Sequence, residues 1–221
     1  MSVLQRLSSS VGSKILVALT GLALVGFLLF HLAGNLLFIF GPVEFNEHAH
    51  WLISNPLIVP AELGLVAIFL LHMTTAARHW LGGKAARPER YAVKKWAGGT
   101  SRKTFASSTM ILSGLFLLAF VLFHLKTFKY GPHYVSPVNA EERDLYRLLV
   151  DVFHNPFYVG FYLVSMVIVG LHLRHGISSS VQSLGLMPKS WTARILRLGA
   201  LLALVTAGGF LLIPIWIYLY R

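Results

Sequence analysis

The sequence contains no cysteine. That excludes disulfides, iron–sulfur clusters held by thiolates, and haem attached covalently through a CxxCH motif. Acidic residues are scarce too: eight Asp and Glu stand against nineteen Lys and Arg, a formal net charge of +11. Charged residues of both signs make up only 12% of the chain. A basic excess often marks nucleic-acid binding. Here the Lys and Arg fall between apolar runs rather than on one soluble face, which points to a membrane and excludes a nucleic-acid partner. What the chain has in abundance is apolar surface, with 56% of its 221 residues hydrophobic.

Arg6 and Lys14 ahead of an apolar run resemble the start of a signal peptide. The run, however, continues through His31 to Phe40 without a clear cleavage site. It reads as a retained first span, with residues 2–12 as an interfacial lead-in. Crossing roughly 30 Å of hydrocarbon takes about 20 apolar residues. Five segments qualify, at about 14–40, 56–81, 105–128, 155–178 and 194–219. The expected architecture is one all-α membrane domain over residues 1–221, four of whose helices form a ligand-holding bundle. Breaks fall at Gly41-Pro42, the basic stretch 82–104, the Gly131 to Pro137 region and Pro188, and Pro214 lies inside the last span, where it can bend a helix. Trp51, Trp80, Trp191, Trp216, Tyr218 and Tyr220 lie near span ends, as interfacial aromatics do.

Charge orients the spans. The segment between spans two and three, with its borders, carries Arg78, Lys84, Arg87, Arg90, Lys94, Lys95, Arg102 and Lys103. Arg174, Lys189, Arg194 and Arg197 fall on the same side, as do Arg6 and Lys14. The other side has no Lys or Arg between spans one and two, and holds Glu44, Glu47, Glu62, Glu141, Glu142, Asp144 and Asp151. The positive-inside rule then predicts a cytoplasmic N-terminus and an external C-terminus.

Two segments align without a gap: "TGLALVGFLLFHL" (20–32) and "SGLFLLAFVLFHL" (113–125). Each places a Gly ten residues before a His, His31 in one and His124 in the other. Spans two and four echo each other as well, with Asn55-Pro56 ahead of His72 and Asn155-Pro156 ahead of His172 at the same spacing. Spans one and two read as a unit, and spans three and four as its parallel copy. Polar residues at membrane depth are costly and default to a functional reading. By depth, His31 pairs with His124 toward the outside and His72 with His172 toward the cytoplasm, the pairs being separated by roughly 10–16 Å at 1.5 Å rise per residue.

A zinc site would want about four close ligands, often with a carboxylate or thiolate. Each depth here offers two imidazoles among Leu, Phe, Ala and Gly. That suits a planar apolar macrocycle gripped through its iron by two helices, with small residues such as Gly26, Gly34, Gly114, Ala119, Gly170 and Gly176 making room. Bis-histidine ligation fills both axial positions and favours electron transfer over oxygen binding. His79 and His175, beside Arg78 and Arg174, form a second rank. The alternatives for this group are contact with haem propionates and interfacial anchoring. His48, His50, His133 and His154 read as solvated residues at the outer surface.

The stretches "SKILVALTGLALVGFLLFHLAGNL", "SSTMILSGLFLLAFVLFHL" and "GLHLRHGISSSVQSLGL" resemble the di-haem cytochrome b (b558-type) membrane subunit of succinate dehydrogenase and fumarate reductase. The resemblance covers most of the chain, spans one to four best. It implies a five-span anchor in a bacterial cytoplasmic membrane, with a flavoprotein subunit and an iron–sulfur subunit bound on the cytoplasmic face. It implies two haem b groups, one held by His31 and His124 and the other by His72 and His172, with Arg78 and Arg174 as candidate propionate contacts. Electrons from succinate would pass through flavin and clusters to the inner haem, the outer haem and a quinone, expected to be menaquinone; fumarate reduction reverses the path. Glu62, and after it Glu44 and Glu47, are the candidate proton carriers for the quinone. The flavin and dicarboxylate sites would lie on other subunits. The basic stretch from Lys84 to Lys103 is expected to help dock the iron–sulfur subunit or to meet anionic lipid. The alternatives are a cytochrome b of another respiratory complex, of hydrogenase or formate dehydrogenase type, and a transporter that uses histidines for protons or metal.

Overall fold

The computed structural model describes residues 9–86, 89, 104–137 and 139–221. Arg6 and most of the basic stretch between spans two and three (Arg87, Arg90, Lys94, Lys95, Arg102 and Lys103) lie outside the described residues. Within them the elements are helices apart from one isolated antiparallel bridge, Val135 with Arg143, and five helices are long and apolar enough to cross a membrane.

The first span is α1, Ser10–Leu36, which tightens into a 3-10 turn at Leu37–Phe40. The Ser9 hydroxyl starts it by accepting from the Gly12 N–H at 3.1 Å. Gly41, at φ +119°, reverses the chain, and Pro42 opens α2, Pro42–Ser54, as the first helical residue. The second span, α3, runs Ile58–Ala85. It begins after an Asn55-Pro56 turn in which Asn55 Oδ1 accepts from the Leu57 N–H at 2.9 Å. It also continues past the expected end at residue 81, because its backbone bonds persist through Gly82-Gly83 after the apolar pattern has stopped.

The third span starts later than residue 105. A single turn, α4 (Phe105–Ser108), is closed by reciprocal Thr104–Ser107 capping, and the chain breaks at Thr109 before α5, Met110–His124. The span ends in a wide π-helical turn, Leu125–Lys129. A Cβ at Gly131 would run into the Thr127 carbonyl oxygen, so only glycine lets the chain leave this turn. Next come α6 (Leu145–Phe153), α7 (Pro156–Ser183) and α8 (Thr192–Tyr220). α8 passes unbroken through the buried Pro214.

Packing is uneven. α7 lies along α8 and against α1, and these three supply most of the core. Small residues allow the close approach: a Cβ at Gly170 would stand 3.0 Å from Ala207 Cβ, and one at Gly209 2.8 Å from Leu32 Cδ2. In the most apolar windows of α7 and α8, 33% of residues are buried, against 6% in those of α3 and of the α5 span. α3 has no buried residue at all. The second span lies along α1 and the third touches α7, but both leave most of their surface outside the core.

The two short helices cover one end of the bundle. Asn46 on α2 donates from Nδ2 to Asp144 Oδ1 at 2.9 Å and accepts the Tyr146 N–H at its Oδ1, also at 2.9 Å. Asp144 in turn caps α6 through the Arg147 N–H. Both side chains are buried, so this network fixes α2 against α6 in a low-dielectric setting. We refer to this as the capped end. The opposite end, where α1 starts and α3 and α7 finish, carries Lys14, Lys84, Arg174 and Lys189, and is the basic end.

Candidate functional site

Between the packed trio and the second and third spans lies a cavity of about 3530 Å³. Ordinary small-molecule pockets hold roughly 300–1,000 Å³. This hollow is several times that size and partly open, with room for a large ligand. His31, His72, His124 and His172 all line it, on walls of Leu, Val, Phe, Ala and Gly.

Toward the capped end, His31 and His124 face each other with ring centroids 5.8 Å apart and planes at 89°. Aromatic rings surround them. Phe27 stacks on His31 at 5.4 Å and Phe210 lies 5.7 Å away, while Phe120 and Phe128 sit 5.8 and 5.3 Å from His124. His124 Nδ1 meets the Tyr162 hydroxyl at 3.1 Å. The neighbour of His31 is the Asn35 amide, 3.4 Å from Nε2, which also donates to the His31 carbonyl at 2.8 Å.

Toward the basic end the pair is held differently. His72 Nδ1 lies 3.1 Å from Thr20 Oγ1, and His172 Nδ1 lies 2.9 Å from Ser113 Oγ. Thr20 and Ser113 occupy matching positions in the two aligned segments, as His72 and His172 do in theirs. The adjacent glycines match as well: a Cβ at Gly21 would stand 3.1 Å from His72 Cε1, and one at Gly114 3.9 Å from His172 Cε1. His72 and His172 both line the same cavity. Thr20 and His31 are eleven residues apart on α1, so the two levels are separated by about 16 Å of helix at 1.5 Å per residue.

Comparison with protein-family models, with curated proteins and with solved structures finds no match to this chain. The chemistry of the site rests on its own geometry.

Among the described residues no three His, Asp or Glu side chains converge as they would around a metal ion held by protein alone. Two opposed imidazoles suit a metal that brings its other ligands with it. A metal–imidazole bond is about 2 Å, as in zinc sites, so two rings on opposite sides of one ion keep their centroids roughly 6 Å apart. The His31–His124 spacing of 5.8 Å fits that requirement without a large movement of either helix. The apolar walls and the size of the hollow fit a flat macrocycle at each level.

The remaining candidates divide. Glu62, on the first turns of α3, lines the capped-end part of the cavity and forms an ion pair with Lys129 at the end of the third span. Counted from the shared Asn-Pro, Glu62 holds the position that Tyr162 holds on α7. Glu44 and Glu47 are exposed on α2 and do not line the cavity. Arg174 lines it at the basic end together with His79, His175 and Lys14, whereas Arg78 is exposed and outside the lining.

Sequence reading takes His48 as solvated, yet its Nε2 is buried, has no hydrogen-bond partner among the described residues, and stands 3.0 Å from where a Gly34 Cβ would be. Sequence reading also misses Thr20, Ser113, Asn35, Tyr162 and Lys129. For the two hydroxyls a signal exists: both begin the aligned segments, one residue before the shared glycine.

Proposed function

We propose that this chain is the membrane-anchoring di-haem cytochrome b subunit of a succinate dehydrogenase or fumarate reductase, passing electrons between an iron–sulfur subunit and membrane quinone. The observation that carries the di-haem reading is the apolar hollow lined by four histidines at two levels, with His31 and His124 across from each other at 5.8 Å. His31 and His124 would hold one haem iron, and His72 and His172 the other. Bound haem b supplies a one-electron couple at each level. The succinate or fumarate chemistry, the flavoprotein and the iron–sulfur partner rest on the resemblance of the sequence motifs. The matching Thr20–His72 and Ser113–His172 contacts support the two-helix repeat.

The chain's own residues do the rest. The packed trio α1, α7 and α8 fixes the histidines of α1 and α7, while the apolar walls exclude water. Arg174 and His175 line the basic end of the cavity, which supports them as propionate contacts of the nearer haem. By the positive-inside rule the basic end faces the cytoplasm of a bacterium, where the soluble subunits dock. The quinone, menaquinone on this reading, then reacts at the capped end. There Glu62 carries protons between quinone and the exterior, held ready by Lys129. Glu44 and Glu47, exposed away from the cavity, fall behind it.

The test is a dithionite-reduced minus oxidised absorption spectrum of the chain purified from membranes, with identification of the subunits that accompany it. Sharp b-type bands equivalent to two haems per chain, with a flavoprotein and an iron–sulfur protein, are expected. No bands would leave the transporter reading. Bands with partners lacking a flavin would indicate another respiratory complex.

A further inference from the structure

The hydroxyls of Thr20 and Ser113 each meet more than one group. Thr20 Oγ1 lies 2.7 Å from the Leu16 carbonyl oxygen and 3.2 Å from that of Val17, as well as 3.1 Å from His72 Nδ1. Ser113 Oγ lies 3.0 Å from the Met110 carbonyl oxygen and 2.9 Å from His172 Nδ1. A hydroxyl has one proton to give and two lone pairs to accept with. A carbonyl oxygen can only accept. Every contact is satisfied together in one arrangement: the hydroxyl proton goes to the helix carbonyl, and the imidazole donates its Nδ1–H to the hydroxyl oxygen. With the other tautomer, two acceptors compete for one proton.

This fixes Nε2 as the nitrogen that keeps its lone pair, in both rings. In each ring the hydroxyl meets Nδ1 and leaves Nε2 on the other side of the imidazole. At the capped end nothing equivalent operates. The Tyr162 hydroxyl can give or accept toward His124, and the group beside His31 Nε2 is the Asn35 amide, a donor.

We propose that Thr20 and Ser113 are positioning residues that hold His72 and His172 as Nδ1–H tautomers, present both Nε2 lone pairs to one iron, and lower the reduction potential of that haem relative to what the same pair would give without them. The inference rests on the haem reading above. The electronic part follows from the direction of the hydrogen bond. A metal-bound imidazole that donates its second N–H becomes a more basic ligand. A more basic ligand favours ferric over ferrous iron, which lowers the potential. The hydroxyl oxygen is a better acceptor because its own proton is engaged by the backbone, as in any hydrogen-bonded chain. Because the two residues sit on different helices, α1 and α5, each tunes one axial ligand.

The experiment is a redox titration of the b-type bands of the purified chain with its accompanying subunits. The basic-end haem is identified as the one lost in His172→Ala. Thr20→Val and Ser113→Ala remove the hydroxyl while keeping most of the volume. Each is expected to raise the midpoint potential of that haem by about 59 mV, the equivalent of a tenfold change in the ferric-to-ferrous preference for a one-electron couple. The other haem should not move. Thr20→Ser and Ser113→Thr, which keep a hydroxyl, should retain the original potential. If Thr20→Val empties the site while Thr20→Ser keeps it filled and unshifted, the hydroxyl role stands. Unchanged potentials in the Val and Ala variants would overturn the proposal while leaving the haem reading intact. So would equal shifts or equal haem loss in the hydroxyl-retaining variants, or matched shifts of both haems. Absence of b-type bands in the unmodified protein would instead remove the haem reading itself.

Discussion

The two histidine pairs use the same side chain in opposite surroundings. At the basic end each ring is tethered through Nδ1 to a hydroxyl on the neighbouring span. At the capped end the rings lie among Phe27, Phe120, Phe128 and Phe210 and face each other directly. Hydrogen bonds fix a ring's tautomer and direction. Aromatic contacts, worth about 0.5–1.5 kcal/mol each, fix its position but not its proton. One pair is thus organised for a defined electronic state, and the other for shape and exclusion of water. The difference extends to the position shared by Glu62 and Tyr162. Tyr162 holds His124, while Glu62 pairs with Lys129, so one half of the capped end is sealed by a phenol and the other carries a charge.

Replacing the histidines should have the largest effect. His72→Ala or His172→Ala is expected to abolish one haem, and His31→Ala or His124→Ala the other, as read by haem quantitation and difference spectra of purified variants. The same selective loss from His72→Ala and His124→Ala would break the pairing by level. Glu62→Gln should come next. Removing a positioned proton carrier costs about 10²-fold or more, so quinone-linked turnover should fall by that order while both haem spectra persist. Full turnover in this variant would take the charged half of the capped end out of the chemistry. The smallest effect sharpens the comparison within the basic-end pair. A Cβ at Gly21 would come within 3.1 Å of the His72 ring, tighter than most packed contacts, but one at Gly114 would sit at an ordinary 3.9 Å from His172. Gly21→Ala should therefore lower occupancy or broaden the spectrum of that haem, and Gly114→Ala should leave it unchanged. Equal behaviour of the two variants would show that the ring of His72 can shift freely.

The spans are legible in the sequence because a membrane-crossing helix writes itself as apolar length, and the structure has five such helices close to where the pattern puts them. The start of the third span is not legible, since Thr109 interrupts the helix inside a run whose composition does not change. The cap helices escape a length criterion altogether. Their marks are local: Pro42 after Gly41, and Asp144 ahead of an amphipathic Leu145–Phe153 stretch. The four histidines stand out because an imidazole is costly in an apolar run, and all four line one cavity. Their partners do not stand out. Thr20 and Ser113 are ordinary residues in an apolar helix, where a hydroxyl is readily satisfied by its own backbone. Only the fold brings them to a ring 52 or 59 residues away. Glu62 and Glu44 look alike in sequence. The ion pair with Lys129 at the cavity wall separates the first from the second.

The second and third spans bury almost nothing of their own, and this bears on how the protein is made. Three helices can close on one another as soon as they are inserted, because their interface is built from Gly, Ala and Leu already in register. The other two rest on α1 and α7 but touch each other little, so the side between them closes fully only when something fills the space. A ligand that binds only the closed form stabilises it by mass action, about 4 kcal/mol at a thousand times its dissociation constant. Cofactor delivery would then act as the last folding step, and newly synthesised chain would wait in the bilayer with one side open. On the haem reading, that open side is what membrane proteases would meet first in a cell short of haem, so the abundance of the protein would follow haem supply rather than transcription.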